Sequence, residues 1–426
     1  MILKGSQRGA ASNLSAHLMN DRDNDHVTVL EVRGFVARDL HGAFAEAHAI
    51  SKGTKCEQFL FSLSLSPPKD HTGSEQDFVD AINRAEEKLK LSGQPRAIVL
   101  HEKEGRRHAH VVWSRIDAKT MKAINLPHYK LKLNDLARQI YLDHGWSLPD
   151  GLRRDGGKSP LNFTLAEWQQ AKRVNLDPRE IKQSFIDAWN LSDSAKGLQN
   201  ALEERGYFLC RGDRRGFVAV DTKGEVFSVA RMLGIKTKEV NARLGDPQDL
   251  YSVDQTRDII QSKLSDTLHC YIDEVDRKHE KDFEPLKTKR SAMVANHRIE
   301  RAQLKRGQAQ RWQAETEERS ARIDGGIKGV WQKLSGSAAK IKSQNELEAW
   351  DALKRDQSQR DGLVKVQMKE RQSLQRQIDT LRRKHAQDRR ILARDIAQSM
   401  RTADQMERMR DVERSKTRTR ETGLRL

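Results

Sequence analysis

Apolar and polar residues alternate over Val27 to Val32, Gln58 to Leu65, Arg96 to His101 and His108 to Ile116, and this period, rich in β-branched residues, predicts strands. Between them the period becomes helical. Leu40 to Ser51 is alanine-rich with Phe44 and Ala47 on one side, and Phe78, Ile82, Ala85 and Leu89 recur at helical spacing behind Ser74, a residue suited to cap the first turn. Strands alternating with helices over residues 1–150 predict a layered α+β domain.

Residues 151–180, opened by the Gly-, Arg- and Lys-rich run from Asp150 to Pro160, are expected to be a linker. A small helix, hairpin, helix module then occupies 181–250. In it Gly206 ends a helix, Tyr207 to Cys210 and Phe217 to Val220 flank a turn spanning Arg211 to Gly216, and Gly224 permits a further turn. Residues 251–426 read as a charged helical region with a break near 324–337, at Asp324 to Gly329 and Ser335 to Ser337, which suggests a helical hairpin. Its thin apolar stripe, Leu374, Ile378, Leu381, Leu392, Ile396 and Met400, is too irregular for a strict heptad and predicts a solvent-bridging or weakly paired helix, with a coiled coil as the alternative.

Charge changes the picture. Lys and Arg number 78 against 61 Asp and Glu in 426 residues, a net +17 that points to a polyanionic partner, nucleic acid first. The three cysteines, Cys56, Cys210 and Cys270, stand far apart without a CxxC pair, so neither a disulfide framework nor a thiolate zinc site is indicated, and a cytoplasmic setting is expected. No window is apolar enough to predict a membrane span.

Three histidines supply the candidate chemistry. His108 and His110 are two apart on a predicted strand and therefore project from one face, and a turn centred on 103–107 returns the preceding strand so that His101 lies beside them. Three neutral imidazoles can share one divalent cation and leave coordination positions open, the mark of a catalytic rather than a structural site. Nitrogen ligands suit Zn, Mn, Fe, Co or Ni, whereas Mg prefers oxygen. Glu104, three residues after His101, is a candidate fourth ligand, orienter or proton-transfer group.

The run from His101 to Asp117 (HEKEGRRHAHVVWSRID), together with the segment from Gly9 to Phe35, resembles the plasmid relaxases, the mobilisation nucleases of the HUH endonuclease group. The resemblance covers about the first 150 residues well and the rest loosely. It implies a five-stranded antiparallel sheet with flanking helices, metal-dependent cleavage of one DNA strand at an origin of transfer, and a covalent protein–DNA intermediate. The expected cofactor is a divalent metal, Mn or Mg, with Zn an alternative. The expected partners are single-stranded DNA at that origin, accessory relaxosome proteins and a secretion coupling protein, which the basic tail from Arg408 to Arg420 is a candidate to contact.

The sequence departs from the family pattern in its nucleophile. Its five tyrosines, Tyr129, Tyr141, Tyr207, Tyr251 and Tyr271, all fall outside the N-terminal segment where most relaxases carry theirs. His17 stands there instead, as in a branch of the family that is similar in using histidine and in having Glu three residues after the first metal histidine. The resemblance therefore implies His17 as the nucleophile, His101, His108 and His110 as metal ligands and Glu104 as a catalytic helper. His26, heading a strand, is read as structural or DNA-contacting. Arg33, Arg38, Arg106, Arg107 and Arg115 are expected to hold phosphates, and Trp113, on the opposite parity to the strand histidines, is expected in the core. The alternatives are a catalytically inactive relaxase-fold protein that recognises origin DNA, and a metal-dependent phosphoesterase that forms no covalent intermediate.

Overall fold

The computed structural model describes residues 1–153, 159–174, 176–213, 216–263, 266–322 and 337–423, with the side chains of 263–267 and 403–423 set aside. The expected break near 324–337, all but Ser337, and the tip of the hairpin at 214 and 215 thus lie outside the described residues, as do the side chains of the basic tail. The chain forms two compact units, one of Met1–Arg154 with Pro285–Ile378 and one of Asp155–Glu284 with Asp379–Leu426. Both boundaries within the C-terminal region fall inside long helices, so that region is not a unit of its own.

The first unit is built on strands β1 (Ile2–Arg8), β2 (His26–Arg33), β3 (Leu60–Ser66), β4 (Arg96–Lys103) and β5 (Arg106–Ser114) and helices α1 (Ala11–Leu18), α2 (Leu40–Ser51), α3 (Glu75–Lys88) and α4 (Tyr129–Asp143). All pairings are antiparallel in the order β1-β3-β5-β4-β2, the five-stranded α+β sheet that was expected. A minor ribbon of β6 (Ile116–Asp117) and β7 (Lys122–Ala123) follows. The period-two pattern divides the sheet's side chains between two layers. Ile98, Leu100, Ala109, Val111 and Trp113 pack under α3 and α4 against Phe78, Ile82, Leu133 and Ile140, and Ala97, Val99 and Val112 pack under α1 and α2 against Leu14, Leu18 and Phe44. Burial of both faces explains the unbroken apolar run Ala97 to Leu100 in β4, a strand buried almost throughout.

Local signals set the helix starts. Ser74 accepts from the Asp77 backbone N–H while Asp77 accepts from that of Ser74, a capping box that opens α3. Asp39 accepts from Gly42 N–H at the start of α2. Trp113 is fully buried, and its indole N–H donates to Glu86 at 2.8 Å, as its parity predicted.

The second unit holds α5 (Leu165–Arg173), α6 (Pro178–Asn190), α7 (Ala195–Glu203), strands β8 (Tyr207–Arg211), β9 (Phe217–Asp221) and β10 (Val226–Ser228), then α8 (Val229–Leu233), α9 (Thr237–Leu244) and α10 (Val253–Lys263). The hairpin and the further turn at Gly224 form a three-stranded sheet in the order β10-β9-β8. Part of the expected linker is structured: Thr164 and Glu167 make a capping box for α5, and Glu167 forms a buried ion pair with Lys182 on α6 at 3.1 Å.

Helices α11 (Asp266–Ala321) and α12 (Ser337–Gly423) supply residues to both units. Within the first unit they run antiparallel, with Arg311 on Asp356, Gln308 on Gln359, Arg301 on Gln367 and His297 on Glu370. Val364, Gln367, Met368, Arg371 and Leu374 are buried. Of the two expected forms, solvent-bridging or weakly paired, α12 takes the paired one within the first unit, through a seam as much polar as apolar. Among the described residues no helix is long and apolar enough to cross a membrane.

Candidate metal centre

β4 and β5 are joined by a two-residue turn, Glu104-Gly105, with φ of 52° and 68°. Two consecutive left-handed residues are what a type I′ hairpin turn requires, because its twist matches that of the strands. This turn fixes the register. His101 lies opposite His108, and Val99 opposite His110, so alternation turns all three imidazoles to the α1 side of the sheet. Their ring centroids are 4.7 to 5.3 Å apart, and one ligand atom from each falls within 4.8 Å of the others. His101 is buried and the other two half-buried, which leaves one side of the triad open.

Gly105 is needed twice over. A Cβ there would stand 3.1 Å from the Gln372 backbone of α12, besides occupying the left-handed region that side chains disfavour. Gly105→Ala should therefore lower stability by at least about 1–2 kcal/mol, measurable as a lower urea midpoint at unchanged slope. An unaltered midpoint would contradict the turn.

Burial sets the protonation of the triad. Loss of solvation holds His110 at about 3 and His108 at about 4, helped by the positive neighbours Arg106 and Lys103 in the latter case. Burial also lowers His101. At neutral pH all three rings are uncharged and present lone pairs, so the donor set fits a divalent ion that accepts nitrogen. His101 Nε2 lies 2.7 Å from the Leu18 carbonyl. A carbonyl only accepts, so Nε2–H donates and the C-terminal end of α1 is tied to the triad.

That tie sets the place of His17. It is exposed on the last turn of α1, one residue before Leu18, and close enough to His101 and His110 for its charge to depress both. Four histidines singled out in the sequence are thus brought together. His26 is not one of them. It is buried on the opposite face at the head of β2, across from Glu102, and held at about 3 by burial and by Arg301 and Arg371.

The other expected site residues divide. Glu104 is exposed in the turn and is not among the residues whose ligand atoms converge. Arg106 is exposed on the histidine parity and stays near His108, and Arg38 is exposed before α2. Three of the arginines expected to hold phosphates are engaged within the protein instead. Arg107, on the opposite parity, is buried among Gly73 O, Glu75 and Glu102. Arg115 is buried and donates to Gln7, to Gln58 O and to Ile124 O. Arg33 lies across from Arg96 on the face away from the histidines and pairs with Glu86 at 3.0 Å. Lys103, overlooked in the sequence, pairs across the hairpin with Arg106 and shares the histidine parity. Alternation counted from His101 would have found it.

Acid should unfold this unit early. His26, His108 and His110 take a proton near pH 6.5 in the unfolded chain but only at about 3 to 4 in the fold. The unfolded state then binds more protons, so stability is full above that pH and falls as pH drops, by about 1.4 kcal/mol per pH unit for each histidine. Glu102, held down to about 2 chiefly by Arg301 against its own burial, adds a second loss below the usual carboxylate range. Denaturant titrations from pH 7 to 4.5 measure this, and stability flat between pH 6.5 and 5 would refute it.

Residues 17–146 match the family model described as "Relaxase: MobA/VirD2-like, nuclease domain". No curated protein matches the chain. A solved structure titled "Molecular Basis of Vancomycin Resistance Transfer in Staphylococcus aureus" is similar at 12% identity, over 34% of this chain and 94% of that chain, with a TM-score of 0.25.

Proposed function

From a relaxase-type nuclease domain at residues 17–146, we propose that the protein is a metal-dependent, strand-specific DNA endonuclease and strand transferase that nicks single-stranded DNA at an origin of transfer and holds one end covalently. The observation that carries this reading is the convergence of three neutral imidazoles beside His17. His101, His108 and His110 would hold a divalent ion. When bound, that ion supplies Lewis acidity that offsets charge developing on the scissile phosphate.

The remaining chemistry belongs to the chain. His17, exposed on α1, offers a ring nitrogen to phosphorus. A P–N bond forms as the P–O3′ bond breaks, and the departing 3′ oxygen takes up a proton. The phosphoramidate is reversible, because the free 3′-hydroxyl can attack it and reseal the strand. Tying Leu18 O to His101 holds the nucleophile's helix against the metal ligands, so nucleophile and ion approach one phosphate in fixed relation. Lys103 and Arg106, on the same parity, are suited to the flanking phosphates.

The test incubates the protein with Mn2+ and single-stranded origin DNA and resolves the products under denaturing conditions. Nicked DNA with a protein-linked fragment is expected. Salt-dependent binding with no cleavage under any divalent metal would instead indicate an inactive origin-binding protein, and cleavage with turnover and no adduct a phosphoesterase.

A further inference from the structure

The β4–β5 hairpin bears all three candidate ligands on one face, and its other face is gripped by side chains distant in sequence. Glu102, next to His101 and almost fully buried, accepts from Arg301 at 3.1 and 2.9 Å and from Arg371 at 2.5 Å, with Arg107 a further 3.6 Å away. Arg107 adjoins His108 and pairs with Asp361 of α12 at 3.4 Å. At the turn, Gln372 donates to Gly105 O at 3.3 Å. Arg301 belongs to α11 and Asp361, Arg371 and Gln372 to α12, all within the first unit. A carboxylate this deeply buried is tolerated only with such partners, and forked arginine contacts fix direction as well as charge.

Resting on the metal reading above, we infer that Arg301 and Arg371 are positioning residues: by clasping Glu102 they hold the hairpin at the register that lets His101, His108 and His110 converge, and so set metal affinity from helices outside the matched domain. Side chains alternate along a strand, so a shift of β4 against β5 at Glu102 displaces His101 relative to His108 on the other face. The antiparallel pair of α11 and α12 is on this account a working part of the metal site and not an appended spacer. Arg290 on Asp25, at 2.6 Å, fastens α11 to the residue before β2.

The experiment measures Mn2+ binding to the full chain by loss of the free-ion electron paramagnetic resonance signal, with thermal unfolding followed in parallel. Arg301→Gln and Glu102→Gln are expected to weaken Mn2+ binding by about tenfold or more, as lost orienting contacts do. Arg311→Gln, which breaks only the helix-to-helix contacts with Asp356 and Gln359, should lower the melting temperature and leave affinity unchanged. Arg301→Lys should restore affinity in part, since it keeps the charge and loses the fork. Arg301 lies at the rim of the cluster, so its variant gives a reading even where Glu102→Gln fails to fold. A folded Arg301→Gln protein that binds Mn2+ as tightly as the parent overturns the clasp alone. A parent that binds no Mn2+ overturns the metal reading and the clasp with it.

Discussion

His17→Ala should abolish the protein–DNA adduct and reduce nicking on the order of 10^4 to 10^6-fold, while Mn2+ affinity and binding of the uncut strand stay near the parent values. The separation follows from geometry. His17 is exposed on α1 and contributes no ligand atom to the converging triad, and the bond that ties α1 to the site uses the Leu18 carbonyl, which the substitution retains. Nicking assays, denaturing gels and Mn2+ titration on one preparation report all three quantities. A His17→Ala protein that still forms the adduct would remove His17 from the chemistry while leaving the triad intact.

Replacing His108 and His110 together with alanine should have the complementary effect. Two of three ligands are lost, so Mn2+ binding should fall below detection. Metal stabilisation of the transferring phosphoryl group is worth several kcal/mol, so nicking should fall by roughly 10^3-fold or more. DNA binding should survive, because Lys103 and Arg106 are untouched. The same variant should unfold less readily in acid, since two rings that resist protonation in the fold are gone. Undiminished nicking would show that the triad does not serve the reaction.

The path from sequence to site was short where local rules decide it. The alternation of His108 and His110, the polar return after His101 and the cap at Ser74 are properties of a few adjacent residues, and the hairpin, its register and α3 follow from them. β1 was not foreseen, because Ile2 to Arg8 carries few apolar residues and becomes a strand only by pairing along β3. The internal partners of Arg107 and Arg115 are hidden in the sequence for a related reason. Positive charge near a nucleic-acid site suggests phosphate, but alternation sends Arg107 to the face where Glu75 and Glu102 wait.

The docking of α11 and α12 was hidden more deeply. Their buried positions include Gln367, Arg371 and His297, which hydropathy scores as surface, and their partners lie up to hundreds of positions away. Only the fold brings Arg371 to Glu102. Buried ion pairs of this kind carry a large desolvation cost, so breaking one by removing a single partner is strongly destabilising, by about 3–5 kcal/mol. The charge excess that first suggested nucleic acid thus has a second use inside the protein.

The most direct measurement is to trap the adduct on single-stranded origin DNA with Mn2+, digest it and locate the modified residue by mass spectrometry. A nucleotide joined through phosphorus to an imidazole nitrogen of His17, in a linkage labile to acid, is the predicted result. An adduct on Tyr129, Tyr141 or any other residue, or cleavage with no adduct at all, would contradict it.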